Sequence, residues 1–345
     1  MTTSKAGFSP PPQRGMIRVG PLSAIPSILR EFCVDPDRLL KDFGLAESIF
    51  ANPDNTIVYR TAGSLFKACV RVTACAHFGL LVGQRSDASG LGAAGFLLRN
   101  APDVITALND LVANFDLHNR GATPFLEVSS ETAILGYEIY DQGVEGADQI
   151  GDGALAVGWN ILRALCGPEW LPVEVHFRHQ PPADAGAFRR FFQAPLRFNA
   201  ARNALVFRSS FLGKKVGGAD PLLRHHFQQH VAEMRRYSHQ DFHDQAYRAL
   251  LLLIGSHRCA LEDLAGHFAL HPRTLNRRLK DGGTSFRELH NRARHETARQ
   301  LLRDTTSSIE AIATLLGFSG SSAFNRAFSR WEGVPPATWQ KRGAG

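Results

Sequence analysis

Two stretches near the C-terminus spell one pattern, and a chain that repeats itself at this length can fold in few ways. Leu264-Ala265-x-x-Phe268-Ala269-Leu270 recurs as Ile312-Ala313-x-x-Leu316-Gly317-Phe318 at an offset of 48 residues. Leu275-Asn276-Arg277-x-Leu279 recurs as Phe324-Asn325-Arg326-x-Phe328 at an offset of 49, one residue having been inserted in the turn. Each copy reads as helix, short turn, helix. A small residue on the first helix, Ala265 or Ala313, admits a second helix at close range. Apolar pairs four apart, Leu275 with Leu279 and Phe324 with Phe328, anchor that second helix to a core. The residues left facing outward are Arg273, Asn276, Arg277 and Lys280 in one copy, and Ser321, Ser322, Asn325 and Arg326 in the other.

Those outward types suit base edges in a DNA groove. Arginine can bond bidentately to guanine, asparagine to adenine, and serine adapts to either. A helical stretch over Phe286–Arg303, buried through Phe286, Leu289, Ala293, Ala298, Leu301 and Leu302, joins the copies. Its 18 or so residues span roughly 27 Å. That length suits two recognition helices about 34 Å apart, in successive major grooves on one duplex face. Charge agrees. From His257 onward there are 14 Lys+Arg against 8 Asp+Glu, a net of +6, and the preceding part holds 25 against 24. A compact basic module beside a neutral one points to a polyanion partner; the alternative is a solvated basic face on an ordinary bundle.

The remainder of the chain changes class. Helix-like stretches near Ser23–Phe32, Thr61–Phe78, Asp103–Phe115 and Asp148–Leu165 mix with strand-like alternation at Phe125–Val128, Ala133–Tyr140, Val173–His176 and Ala204–Arg208. Ser129–Thr132 reads as a hairpin turn. The expected organisation is a flexible tail over 1–16, an α/β domain over 17–218, a helical linker over 219–255 and an all-α domain over 256–345. Gly213–Gly218 is the hinge candidate, with Asp220-Pro221 opening the next helix. No apolar run approaches the roughly 20 residues of a membrane span, and the first residues lack a signal-peptide layout. Five scattered cysteines without C-x-x-C argue against a disulfide framework and fit a cytoplasmic chain.

The C-terminal residues resemble the AraC/XylS family of bacterial transcription regulators. The resemblance is carried by Pro272-Arg273-Thr274-Leu275-Asn276-Arg277-Arg278-Leu279, by Gly283-Thr284-Ser285-Phe286, by Gly317-Phe318-Ser319 through Ala323-Phe324-Asn325-Arg326-Ala327-Phe328, and by Trp331-x-Gly333-Val334-Pro335-Pro336. The N-terminal part is more loosely similar to the arabinose-binding-type effector domain of one branch of that family, through Phe78–Gly83, Phe191–Phe198 and Asn203–Phe207. The resemblance implies an α/β effector domain followed by an all-α domain with two helix-turn-helix motifs joined by a connecting helix. It also implies promoter DNA as partner, a small-molecule effector, a homodimer formed through the N-terminal domain, and RNA polymerase where the protein activates. No cofactor and no enzymatic activity are expected, and the location is the cytoplasm, on the nucleoid. Two residues depart from the family pattern: His271 stands where Ser is frequent before the proline, a poorer N-cap, and Ala269 stands where the first turn usually has Gly.

Other motifs carry less. Gly90-Leu91-Gly92-Ala93-Ala94-Gly95 spells G-x-G-x-x-G, but the polar Gln84–Ser89 before it is no strand, so a flexible connector is expected in place of a phosphate cradle. Five histidines fall between His225 and His243, and His226/His230 and His239/His243 sit at i, i+4 spacing. A metal-responsive sensor using this cluster is therefore the competing reading, although no carboxylate or Cys completes it. Cys69 and Cys75 read as core thiols. No G-x-S-x-G or H-E-x-x-H supports the third class, an enzyme fused to a DNA-binding tail. The 23 Phe, with Trp159 and Trp170, suit an apolar-lined cavity and core packing equally.

Overall fold

The computed structural model describes residues 12–13, 15–141, 143–237, 242–255, 260–268, 270–305 and 307–342. Most of the expected tail, Ala269, His239 and Cys259 lie outside the described residues. The chain divides into two compact units. One comprises Met1–His176, Pro182–Arg197 and Asn203–Ser238; the other comprises Phe177–Pro181, Phe198–Arg202 and His239–Gly345.

The first unit opens with β1 (Met16–Arg18), α1 (Ile25–Glu31) and α2 (Pro36–Lys41), and β2 (Thr56–Val58) returns antiparallel to β1. In α3 (Tyr59–Thr73), Tyr59, Ala62, Leu65, Phe66 and Cys69 share one buried face, at the spacing of an amphipathic helix. The single helix expected over Thr61–Phe78 is in fact two. The Thr73 hydroxyl donates to the Cys69 carbonyl (2.7 Å) and accepts from the Cys75 amide (3.2 Å), and Ala74 turns left-handed at φ +52°. The chain restarts as α4 (Phe78–Gln84), followed by α5 (Ala93–Arg99) and α6 (Val104–Asn114). The glycine stretch over 90–95, which runs into the first turn of α5, is a packed corner in place of the flexible connector expected. A Cβ on Gly95 would lie 1.7 Å from the Ala88 carbonyl oxygen, and Leu91, Ala93 and Ala94 are buried.

The main sheet begins with the hairpin of β3 (Ala122–Val128) and β4 (Thr132–Ile139), its turn closed by the Ser129 amide donating to the Thr132 carbonyl (2.8 Å). The 20-residue α7 (Ala147–Cys166) leads to β5 (Glu174–His176), α8 (Gly186–Phe192), β6 (Leu196–Arg197) and β7 (Asn203–Arg208). Strand order is β3-β4-β7-β5-β6; β5 and β6 run parallel and the other neighbours antiparallel. Asp220 caps α9 (Pro221–Tyr237), accepting from the Leu222 and Leu223 amides, and Phe227 of α9 stacks on Phe96 of α5 with ring centroids 4.8 Å apart.

The second unit is helical, with no strand among its described residues. It runs α10 (Phe242–Gly255), α11 (Leu261–His267), α12 (Pro272–Asp281), α13 (Phe286–Asp304), α14 (Ile309–Leu315), α15 (Ser321–Glu332) and α16 (Pro336–Arg342). Local chemistry sets the helix starts. Ser285 and Glu288 form a reciprocal capping box on α13, and Ser308 Oγ accepts the Ala311 amide at the head of α14. His271 does serve as an N-cap: its Nδ1 accepts the Arg273 amide at 3.3 Å, a long bond that fits its lower rank as a cap. Along α13, Leu289, Ala293, Ala298, Leu301 and Leu302 are buried as expected. Phe286 is only half-buried and stacks on His290.

Candidate nucleic-acid interface and ligand cavity

In α12, Leu275 and Leu279 are fully buried, and in α15, Phe324 and Phe328 are as well. Ala265 on α11 and Ala313 on α14 are also buried, as close helix packing requires. The turns between the paired helices share a bond. The Leu270 amide donates to the Ala265 carbonyl and the Phe318 amide to the Ala313 carbonyl, both at 2.9 Å. In the second turn this six-residue loop-back bond closes over Gly317, which is left-handed at φ +68°. Arg294 of α13 steadies the second turn by donating to the Gly317 carbonyl (2.8 Å) and lying over the Phe318 ring (4.6 Å).

Burying those anchors leaves the opposite faces in water. Arg273, Asn276, Arg277 and Lys280 are exposed on α12, and Ser322, Asn325 and Arg326 on α15. Ser321 is half-buried, and its amide donates to Glu310 Oε2 at 3.2 Å. The far end of α15 is tied down by Glu332, which accepts from His295 Nε2 (2.5 Å) and Trp339 Nε1 (3.0 Å) and pairs with Arg299 (3.4 Å). Trp339 belongs to α16, an element the sequence reading did not place; its ring meets Phe328 edge-on at 5.9 Å.

The described histidines of the cluster make separate contacts. His225 bonds Gln229, His226 lies against Phe227, and His243 Nε2 donates to the Leu279 carbonyl at 3.1 Å. Among the described residues no group of three or more His, Cys, Asp or Glu side chains is placed to hold a metal. Cys69 is buried in the core, which pushes its thiol up to about 12.

A cavity of about 100 Å³ lies inside the first unit. Its wall draws on Phe66, Leu111, Phe115, Leu135, Tyr137 and Leu205, residues of five separate elements. Trp159 and Trp170 do not line it. Trp159 packs on Phe191 (4.7 Å) and Trp170 on Phe207 (6.0 Å), so the tryptophans serve the core. His118 also forms part of the wall. Burial, and secondarily the nearby Arg18 charge, pushes its imidazole down to about 3, so it is neutral near pH 7.

A sheet-and-helix unit with an apolar cavity, followed by helical helix-turn-helix packing with polar faces outward, defines an effector-domain transcription regulator that binds DNA. The model of the arabinose-binding domain of AraC transcription regulators matches residues 34–216, and that of a helix-turn-helix domain matches 264–342. The chain belongs to the AraC family of transcription regulators with this N-terminal domain. It is similar along its length to the HTH-type transcriptional regulator VirS of Mycobacterium tuberculosis, 26% identical over 332 residues that cover 95% of this chain and 97% of VirS. The ornithine utilization regulator of Pseudomonas aeruginosa is 23% identical over 329 residues, 94% and 96% of the two chains. Among solved structures, that of the transcriptional regulator CdpR from Pseudomonas aeruginosa aligns over 93% of this chain and 96% of its own, with a TM-score of 0.45 and 22% identity. Among the described residues no single helix is long and apolar enough to cross a membrane.

Proposed function

We propose that two helix-turn-helix units, α11–α12 and α14–α15 joined by α13, read promoter DNA. Arg277 and Arg326 bond guanine edges and Asn276 and Asn325 bond adenine edges. Arg273, Lys280, Ser321 and Ser322 complete the two faces through phosphate and base contacts. Residues 17–218 bind a small effector and join two copies of the chain, 219–255 link, and 256–345 bind DNA. Effector binding shifts the population of domain arrangements, which requires a different affinity for each. RNA polymerase is the further partner where the outcome is activation. No catalytic chemistry or cofactor is assigned, and the place of action is the cytoplasm, on the nucleoid.

The observation that carries this reading is the paired construction. Both copies share the loop-back bond, bury an apolar pair four residues apart, and leave an Asn-Arg pair exposed at matching positions. The test is titration of target and random duplexes at fixed salt. Arg277→Ala and Arg326→Ala should each cost about 1–3 kcal/mol on the target and much less on random DNA. Equal losses on both duplexes would reassign these arginines to phosphate contacts.

A further inference from the structure

We propose that the cavity of the first unit takes a compact, uncharged, carbon-rich molecule of about benzene size carrying one hydrogen-bonding group, and that this is the effector class; the assignment rests on the sensor reading above. The volume, about 100 Å³, is of the order of the roughly 150 Å³ apolar cavity that stays dry and binds benzene. Leu, Ile, Val and Phe make most of the wall, and no Asp, Glu, Lys or Arg lines it. Arg18, close by and buried, is already committed: it pairs with Asp54, and its Nε donates to the Leu117 carbonyl at 2.8 Å. A carboxylate or ammonium would therefore enter without a counter-charge, and a sugar would leave several hydroxyls unpaired. Both are heavily penalised.

Two polar side chains interrupt the wall. Tyr137 Oη accepts from Asn119 Nδ2 (3.0 Å) and lies 3.3 Å from Tyr59 Oη, which leaves a hydroxyl one further bond. His118 Nδ1 is buried with no hydrogen-bond partner. The Phe115 ring meets both side chains edge-on, with centroids 5.3 Å from His118 and 6.0 Å from Tyr137, so the two pack against the same ring of the wall. Because His118 is neutral, it puts no charge on the wall, and Tyr137 supplies the one hydrogen-bonding group.

The experiment is calorimetric titration of the full chain with phenol, benzoate, L-arabinose and L-ornithine. Phenol should saturate one site, and the other three should bind at least tenfold more weakly. Ala154→Leu, which grows into the cavity from α7, should abolish phenol binding. In the unaltered protein, phenol should shift the methyl resonances of Leu135, Ile161 and Leu205, a readout that does not depend on the variant folding. Absence of both heat and methyl shifts with phenol overturns the assignment. Tighter binding of benzoate, arabinose or ornithine that Ala154→Leu blocks discards the ligand class and keeps the sensor. Phenol binding that leaves DNA affinity unchanged keeps the ligand class and discards the sensor role.

Discussion

Acidification should weaken the first unit through one side chain, His118. It is 2% exposed and its imidazole is pushed from 6.5 down to about 3, first by burial and then by Arg18. The folded chain therefore holds this ring neutral at pH 5, while the unfolded chain protonates it. A depressed histidine contributes stability that is intact above about pH 6.5 and is lost as pH falls toward the folded value. Each pH unit below the unfolded value costs about 1.4 kcal/mol, so the loss between pH 7 and pH 5 is about 2 kcal/mol. Urea unfolding at the two pH values measures it, followed by the emission of Trp159 and Trp170. A Trp331→Phe, Trp339→Phe background silences the second unit. Carboxylates add their own pH dependence, so the diagnostic quantity is the difference from His118→Asn, which cannot take up the proton. The variant should lose about 2 kcal/mol less between pH 7 and pH 5. An equal loss in both proteins would show that the ring is protonated in the folded state, and the cavity wall would then carry a charge.

Other consequences are local to the second unit. Gly317→Ala places a Cβ at φ +68° and should destabilise that unit by about 1–2 kcal/mol in thermal melts. Phe328→Ala removes a fully buried ring that Trp339 also packs against, and should cost about 3–5 kcal/mol by chemical denaturation. Glu332→Ala leaves the His295 and Trp339 donors without their acceptor; a loss of about 1–3 kcal/mol is expected, with a change in Trp339 emission.

What could be read from the sequence follows how far apart the cooperating residues lie. The paired helices were legible because the inward and outward positions alternate within one element: Leu275 and Leu279 fix which side of α12 is inward, and Asn276 and Arg277 between them are thereby outward. The hairpin was legible for the same reason, Ser129 to Thr132 being a local turn. The break between α3 and α4 was not. The apolar run continues through Cys75 to Phe78, and what ends α3 is a side-chain hydroxyl competing with the backbone, which periodicity does not register. Nor was α16, a seven-residue helix opening at Pro336, too short to show a period of its own although proline is well suited to a first helical position. β1 and β2, at three residues each, are too short to show alternation.

The cavity lies at the other extreme. Phe66, Leu111, Phe115, Leu135, Tyr137 and Leu205 are spread over 140 residues of chain, and each alone is an ordinary core residue. Only the tertiary arrangement leaves space between them, and of the aromatic residues that suited a cavity and core packing equally, Phe66 and Phe115 line it whereas Trp159 and Trp170 pack in the core. This asymmetry has a physical origin. A groove-reading helix must keep its contacts on one rigid element, so its chemistry is written in consecutive turns. A small ligand must be enclosed on several sides, so its chemistry is assembled from strands and helices distant in sequence. The charge of each site follows suit. The outer faces of α12 and α15 expose cations that water and phosphate can both satisfy, whereas the cavity excludes every ionised side chain and holds its histidine neutral. With the roles proposed above, a regulator built this way would sense an uncharged molecule in one unit and a polyanion in the other, with little competition between the two ligands for either site.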